Sequence, residues 1–419
     1  LVYNSHMKIL HVVQGYSPAI GGTERFVQKL SEQLARQYGD EVTVFTTNAA
    51  KNCEVFWLQS EPTLPVGIEK INGVTVRRFP IFNKLGHVRH QLSKLADKVN
   101  LPFKDWFRAL FNGPLVFDMT HEIANFKAEV IMASSFPFLH MHYALRGGQR
   151  SHTPVILCGA LHVTDTWSFE RPMLYQAIQQ ADGYIAHSTF ERAYLIGRGM
   201  PASKIEAIGV GLDLAQFANA DGAALRQTYG WGNAPVIAFV GQLTKRKGIH
   251  LLLAAMSHVW PTYPAAKLLL AGAPGTYMSQ LAQTIAELKT KWGNNSIVLI
   301  NNFSEQDKAN IFAASDMLVF PSQEESFGIV FLEAWACRKP VIGLRVGAIP
   351  AVVTEGVDGW VVEPDNEAAL AQTICQAIAN PSQRAQLGEA GYHKVQQRYT
   401  WEIVAGKFRE VYRRMAKSF

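Results

Sequence analysis

Short apolar runs alternate with amphipathic stretches along nearly the whole chain. In the first half, Lys8–Gln14, Val42–Thr46, Val74–Phe79, Val130–Ala133, Val155–Leu157 and Tyr184–His187 read as strands. Between the first two, Phe26, Leu30 and Leu34 recur at helical spacing after Gly22. In the second half, Val236–Val240, Lys267–Ala271, Ile297–Ile300, Met317–Phe320, Val341–Leu344 and Trp360–Val362 read as strands. Helices are expected near Ile249–His258, Met278–Lys289, Glu305–Ala314 and Phe327–Cys337. Strands that are apolar throughout must be covered on both faces, and strands separated by helices form parallel sheets. The fold class is therefore α/β, with two successive Rossmann-like halves. No close repeat links the halves, so their likeness is architectural. The final segment, Trp401 to Ala416, offers Ile403, Phe408, Val411 and Tyr412 for one apolar face.

Size agrees with two halves, because 419 residues exceed what one hydrophobic core organises. Periodic pattern gives way to glycine, alanine and polar residues between Gly209 and Pro235, which places the boundary there. Cys53, Cys158, Cys337 and Cys375 lie far apart without a C-x-x-C pair, and Cys158 and Cys337 sit in apolar runs. That argues against a disulfide framework or zinc site and for a reducing, cytoplasmic compartment. No apolar run reaches about 18 residues, so no membrane span is expected. Met7 reads as a natural start, residues 1–6 as a cloning remnant, and no signal peptide is evident.

Charge is unevenly placed. Between Arg77 and Gly113 eight Lys/Arg stand against Asp97 and Asp105, a local excess equal to the +6 of the whole chain. Phe103, Trp106, Phe107 and Phe111 interleave with those cations. The mixture suits a peripheral contact with anionic headgroups at the inner membrane face, or an anionic polysaccharide or acidic lipid-linked sugar. It equally suits a solvated insert whose Trp106 and Phe107 pack on the domain. Nucleic acid is not expected, since no nucleic-acid module accompanies the segment.

Candidate chemistry concentrates where strands pass into helices. Pro321–Ala334 joins a strand end to a helix expected from Phe327, with Glu325 in the turn and Glu333 eight residues later. The unpaired amides of a helix's first turn attract phosphate. Carboxylates beside such a site accept hydrogen bonds from flanking hydroxyls, so sugar, diphosphate and ribose would fit in that order. Glu325 as a helix cap and Glu333 on a solvated face is the other reading. Gly15–Gly22 follows the first strand and is either a phosphate-facing loop or a plain turn; it lacks G-x-G-x-x-G. Lys245, Arg246 and Lys247 precede Gly248, and such a cluster marks an anionic partner or a solvated face. His162 lies beyond the strand Val155–Leu157, where a lone histidine is often structural; His140, His142 and His152 compete with it. No D-x-D pair occurs, so no carboxylate pair of the kind that holds a nucleotide-sugar through a divalent ion is evident.

In order along nearly the whole chain, these segments resemble the signature elements of family 4 retaining glycosyltransferases of the GT-B fold. The elements are Gly21-Gly22-Thr23-Glu24, Gly209–Asp213, Gly241–Gly248, the E-x7-E pair Glu325 and Glu333, and the turn Gly347–Ala351. The resemblance implies two facing Rossmann-like domains with a cleft between them. Residues 7–211 would form the acceptor domain, joined by a returning helix in 399–419, and residues 212–398 the donor domain. It implies a hexosyl transfer from a nucleoside-diphosphate sugar, UDP being commoner than GDP, to a glycan, lipid-linked or small-molecule hydroxyl. His162, Glu325 and Lys247 match its catalytic positions. Gly21, Gly22, Gln242, Arg246, Lys247, Glu325, Ser326, Phe327, Gly328, Ile329 and Glu333 match its donor-binding positions. No cofactor or metal is implied. Gln242 stands where the family has an arginine and lacks its charged fork, so Arg246 is expected to supplement Lys247 on the diphosphate. Ala348 and Ala351 depart from the family's G-G-x-P-E turn. A sugar-nucleotide epimerase and a catalytically silent nucleotide-sugar binder are the alternatives.

Overall fold

The computed structural model describes residues 6–18, 21–50, 56–275, 277–301 and 303–418. Residues 1–5 and Cys53 lie outside them. The chain divides into two compact units, Leu1–Gly211 with Trp401–Phe419, and Leu212–Thr400. Tyr399 and Thr400, assigned above to the returning segment, group with the second unit. The Leu212 N–H donates to the Tyr399 carbonyl at 2.6 Å, which ties this stretch to the start of that unit.

The first unit is built on β1 (Lys8–Val13), β2 (Glu41–Thr47), β3 (Gly67–Ile71), β4 (Val74–Phe79), β5 (Val130–Ser134), β6 (Val155–Cys158), β7 (Gly183–Ala186) and β8 (Ile205–Ala207). They form one sheet in the order β3-β4-β2-β1-β5-β6-β7-β8. Neighbours run parallel except β3, which is antiparallel to β4. β3 and β8 escape sequence reading because β3 is a largely exposed edge strand and β8 spans three residues. The two faces of β1 supply two cores. Leu10 and Val12 pack with Ile131, Ala133 and Leu157. Ile9 and Val13 pack on the other side with Val42, Val44 and Ile156.

The terminal helix Trp401–Lys417 covers this second face with Trp401, Val404, Phe408, Val411 and Tyr412. Ile403, expected on that face, is only half-buried, because it lies to one side of the stripe that runs through Trp401, Val404 and Phe408. Arg409 donates to both carboxylate oxygens of Asp40, at 2.7 and 2.9 Å, and Asp40 also accepts the Met7 N–H at 2.9 Å. The Asp40 side chain is fully buried and Arg409 nearly so.

The second unit holds β9 (Val236–Val240), β10 (Lys267–Ala271), β11 (Ile297–Ile300), β12 (Met317–Phe320), β13 (Val341–Leu344) and β14 (Gly359–Val362). The order is β11-β10-β9-β12-β13-β14, parallel throughout. All twelve expected strands are present within one residue at each end. Setting aside the antiparallel edge strand β3, the chain order reverses between β1 and β5 in the first sheet and between β9 and β12 in the second. Loops leaving adjacent strands there turn to opposite faces and open a crevice at the carboxyl ends. Among the described residues no helix is long and apolar enough to cross a membrane, and Cys158, Cys337 and Cys375 are free thiols. Cys337, expected as a buried hydrophobe, is only partly buried.

Replacing Arg409 by alanine leaves the Asp40 carboxylate buried without its counter-charge. The expected cost is about 3–5 kcal/mol in a denaturant titration.

Candidate active site

The β9/β12 switch point of the second unit holds a cavity of about 360 Å³. Its walls come from the loops after β9, β10 and β12 and from the first turns of the helix Ile329–Ala336. The loops after β9 and β12 clasp each other. Gly248 has φ +77°, and a Cβ there would lie 1.7 Å from the Pro321 carbonyl oxygen, so only glycine lets the backbones approach this closely. The Gln323 N–H donates to the Arg246 carbonyl at 3.0 Å. Lys247 Nζ donates to Glu325 Oε1, and its ammonium sits 5.4 Å from the centroid of the Phe320 ring. These two side chains are only 17% and 10% exposed, so the pair is largely shielded from water. The Glu325 carbonyl accepts the Ala348 N–H at 3.1 Å, which links the turn Gly347–Ala351 to the same loop.

The helix after β12 begins at Ile329 rather than Phe327, because Gly328 takes a left-handed conformation (φ +88°, ψ +58°) and caps it. Glu333 is consequently one turn into the helix, not two. It meets Lys308 of the helix Glu305–Ala314 at 2.5 Å, and Lys308 also pairs with Glu305 at 3.0 Å. Burial opposes the Lys308 charge, but Glu333 and Glu305 together outweigh it and hold its pKa above the ordinary lysine value. Sequence reading missed Lys308. Its only local signal is an i,i+3 pair with Glu305, which ordinarily marks a solvated helix face.

The structure thus brings Gln242, Lys247, Glu325, Gly328, Ile329 and Glu333 to one cavity, with Lys308 beside them. Arg246 is absent from its lining; its guanidinium points to Glu324 at 3.6 Å and is half-exposed. Ser326 is half-buried, and Phe327 packs edge-on against Tyr399 with centroids 5.6 Å apart.

Gly21, Gly22 and His162 belong to the first unit. Gly21 precedes the helix Gly22–Tyr38, and a Cβ there would come within 2.1 Å of Glu24 Oε2. Burial raises the Glu24 pKa, and Gln14 Nε2, just past β1, donates to Glu24 Oε1 at 2.9 Å. The glycine therefore leaves room for a buried carboxyl. Ala19 and Ile20 of this loop lie outside the described residues. His162 follows β6, its ring edge-on to Phe169 at 5.6 Å. The loop before it is tied down by Glu191. Glu191 Oε1 accepts from the Tyr184 hydroxyl at 2.6 Å and the Leu161 N–H at 3.3 Å, and Oε2 from the His187 N–H at 2.8 Å. Burial pushes the Glu191 carboxyl up to about 7, against the opposing effect of those three donors. The other histidines differ in their surroundings. Burial lowers His140 and His142 to about 4, and His140 Nε2–H donates to the Ser134 carbonyl at 2.6 Å. His152 is exposed and ends the helix His140–Ser151.

Residues 20–216 match the family model for Glycosyltransferase Family 4, and residues 223–394 match the model for Glycosyl transferases group 1. The chain belongs to the family 4 glycosyltransferases. It is therefore a glycosyltransferase of the GT-B type. A D-inositol 3-phosphate glycosyltransferase of Kribbella flavida is 27% identical, covering 94% of this chain and 90% of that protein. Another of the same name, from Segniliparus rotundus, is 30% identical over 57% of this chain, and the match spans 53% of that protein's length. Among solved structures, Anabaena Alr3699/HepE in complex with UDP and glucose superimposes with a TM-score of 0.71 at 20% identity, covering 97% and 99% of the two chains. Sucrose-phosphate synthase from Thermosynechococcus elongatus gives 0.73 at 23% identity, covering 98% and 100%. At those identities the structural likeness speaks for the fold.

The Glu191 environment of this glycosyltransferase has a pH signature. A carboxyl whose folded pKa lies above its unfolded value contributes stability below about pH 4.5, and loses it as pH rises through about 7. The stability advantage of the wild type over Glu191→Gln should shrink in thermal melts taken from pH 5 towards pH 8.

Proposed function

We propose that this glycosyltransferase moves a hexosyl group from UDP-sugar to a hydroxyl of a glycan, lipid-linked or small-molecule acceptor, with retention of configuration. The observation that carries the reading is the cavity at the β9/β12 switch point, where two lysines and two glutamates converge from four separate segments. The Anabaena neighbour solved with UDP and glucose supports a uridine donor. Relatives named D-inositol 3-phosphate glycosyltransferase and alpha-maltose-1-phosphate synthase support hexosyl transfer.

In this reading the second unit takes the donor and the first unit the acceptor. Glu325 accepts from sugar hydroxyls, while Glu333, oriented by Lys308, accepts from the ribose. Lys247 and the first-turn amides at Ile329 and Val330 hold the diphosphate. Lys247 lies against Glu325, so an entering diphosphate must compete for its ammonium. Charge grows on the diphosphate as the sugar departs, and donors already placed there stabilise that state more than the ground state. The departing phosphate then takes the acceptor proton on the same face. His162 is the candidate from the first unit for contact with the transferred sugar, and the Gly21-Gly22 backbone for contact with phosphate. No metal ion takes part, so turnover should persist in EDTA.

Lys247→Ala should lower kcat on the order of a hundredfold with the fold retained, although the melt should fall because the shielded Glu325 carboxylate loses its counter-charge. Near-normal turnover would refute the reading. The lining of the cavity favours one of the two supplementary phosphate contacts. Gln242→Ala should weaken UDP binding more than Arg246→Ala in calorimetry, since Gln242 lines the cavity and Arg246 faces Glu324.

Retention is checked separately. An α-linked donor should give an α-linked product by NMR coupling, and a β-linked product would exclude the same-face route.

A further inference from the structure

The basic segment from Arg77 to Gly113 does not present the surface that its sequence suggests. Five of its eight cations are engaged internally, among them Lys104, which donates to Asn100 Oδ1 at 2.7 Å. Arg77 pairs with Glu122 at 2.6 Å, Arg78 with Glu69 at 2.7 Å and Arg108 with Asp97 at 2.7 Å, while Arg89 donates to the carbonyls of Leu110 and Phe56. Its aromatics are mostly engaged as well. Phe111 stacks on His90 at 4.5 Å, and Trp106 lies beneath the Arg146 guanidinium at 5.4 Å. Trp106 and Phe107 are both half-buried. Trp106, Phe107 and Phe111 are thus held against the unit, as the packed alternative expects, and of the four rings Phe103 alone reaches outward.

Most of what reaches outward is aliphatic. On the helix Gly86–Lys98 and its C-cap, Val88, Leu92, Leu95 and Val99 are 50%, 44%, 53% and 53% exposed. At 100° per residue they fall within an arc of about 60°. Leu85, Leu101 and Phe103, at 65%, 40% and 78%, extend the same stretch of chain. Seven of the fourteen large apolar side chains exposed among the described residues thus lie between positions 85 and 103. Scattered exposed hydrophobics need no explanation, but a contiguous stripe does. Gln91, Lys98, His87 and Lys94, all exposed, follow along one flank of the stripe, with Lys84 just before the helix. The opposite side of the helix holds Arg89, Ser93, Ala96 and Asp97, which face the unit.

We propose that this helix is an interfacial anchor, laying Val88, Leu92, Leu95 and Val99 into the headgroup boundary of an anionic bilayer. An apolar stripe bordered by lysines and lying along a surface is the pattern that such helices require. Charge complementarity selects the occupant. A second protein chain would cover the stripe without need of the flanking cations, whereas an anionic leaflet engages stripe and cations together. The proposal is independent of the donor-site reading.

The test is co-sedimentation of the full chain with vesicles of phosphatidylcholine alone or mixed with phosphatidylglycerol. Binding is expected to the mixed vesicles only. It should fall when salt rises from about 0.1 to about 1 M, which shortens the screening length from about 10 to about 3 Å. Leu92→Asp with Leu95→Asp should abolish it with the thermal melt unchanged, since both side chains already face solvent. Lys94→Ala and Lys98→Ala should each weaken it about fivefold. Failure to sediment with either vesicle overturns the proposal. So does a wild-type dimer by light scattering that dissociates in the double aspartate variant without any vesicle binding, which would make the stripe a contact between copies. Should the double variant fail to fold, the salt dependence and the two lysine variants decide alone.

Discussion

The Lys247–Glu325 ion pair closes the crevice between β9 and β12, and much of the second unit's site depends on that closure. Two loops leave neighbouring strands, turn to opposite faces, and are brought back together by one ammonium, one carboxylate and the glycine contact at Gly248. Both side chains are largely removed from water, so the attraction between them is felt more strongly than on an open surface. The desolvation that this requires offsets part of the gain, and an unpartnered member would be costly. With Lys308 and Glu333 in the same wall, the charges sum to zero. Under the proposed function an incoming diphosphate would meet lysines already engaged, so its binding would be an exchange of partners.

Buried carboxylates recur in the protein, and their surroundings assign them different work. Asp40 meets a guanidinium through two hydrogen bonds and fastens the last helix to the first sheet. Glu333 meets an ammonium at the edge of the cavity. Glu191 meets only a phenol and two backbone amides, none of them charged, and its pKa rises to about 7. Burial is common to all three, and the nature of the partner differs. A counter-ion sustains the charged form, whereas neutral donors only soften the penalty of burying it. Glu191 accordingly holds the loop that leads to His162 without a counter-charge.

Much of the site was legible because its signals are local. A glycine before a helix, a carboxylate pair eight residues apart and a cationic run after an apolar strand are readable from spacing, and the structure gathers most of them around one cavity. Arg246 shows the limit. Its sequence position beside Lys247 is ideal, yet its side chain turns to Glu324, because adjacent residues in a loop leave the backbone in different directions. Lys308 and Glu191 show the same limit from the other side. Each resembles an ordinary helix charge until the fold supplies what it faces.

By itself the sequence determined the twelve principal strands, the α/β class, the two-part organisation and the family. Those rest on the continuous apolar character of buried parallel strands and on glycines whose backbone role is local. Tertiary structure alone decided the edge strand β3, the start of the helix at Ile329, and which cations of residues 77–113 are spent internally. It also exposed the aliphatic stripe at Val88–Val99. The physical reason is range. Hydrophobic period follows from the chain's own geometry, while Lys247 and Glu325 are 78 residues apart and Asp40 and Arg409 are 369 apart. Only packing brings such charges together, and only the surfaces left unpacked show which face remains for another partner.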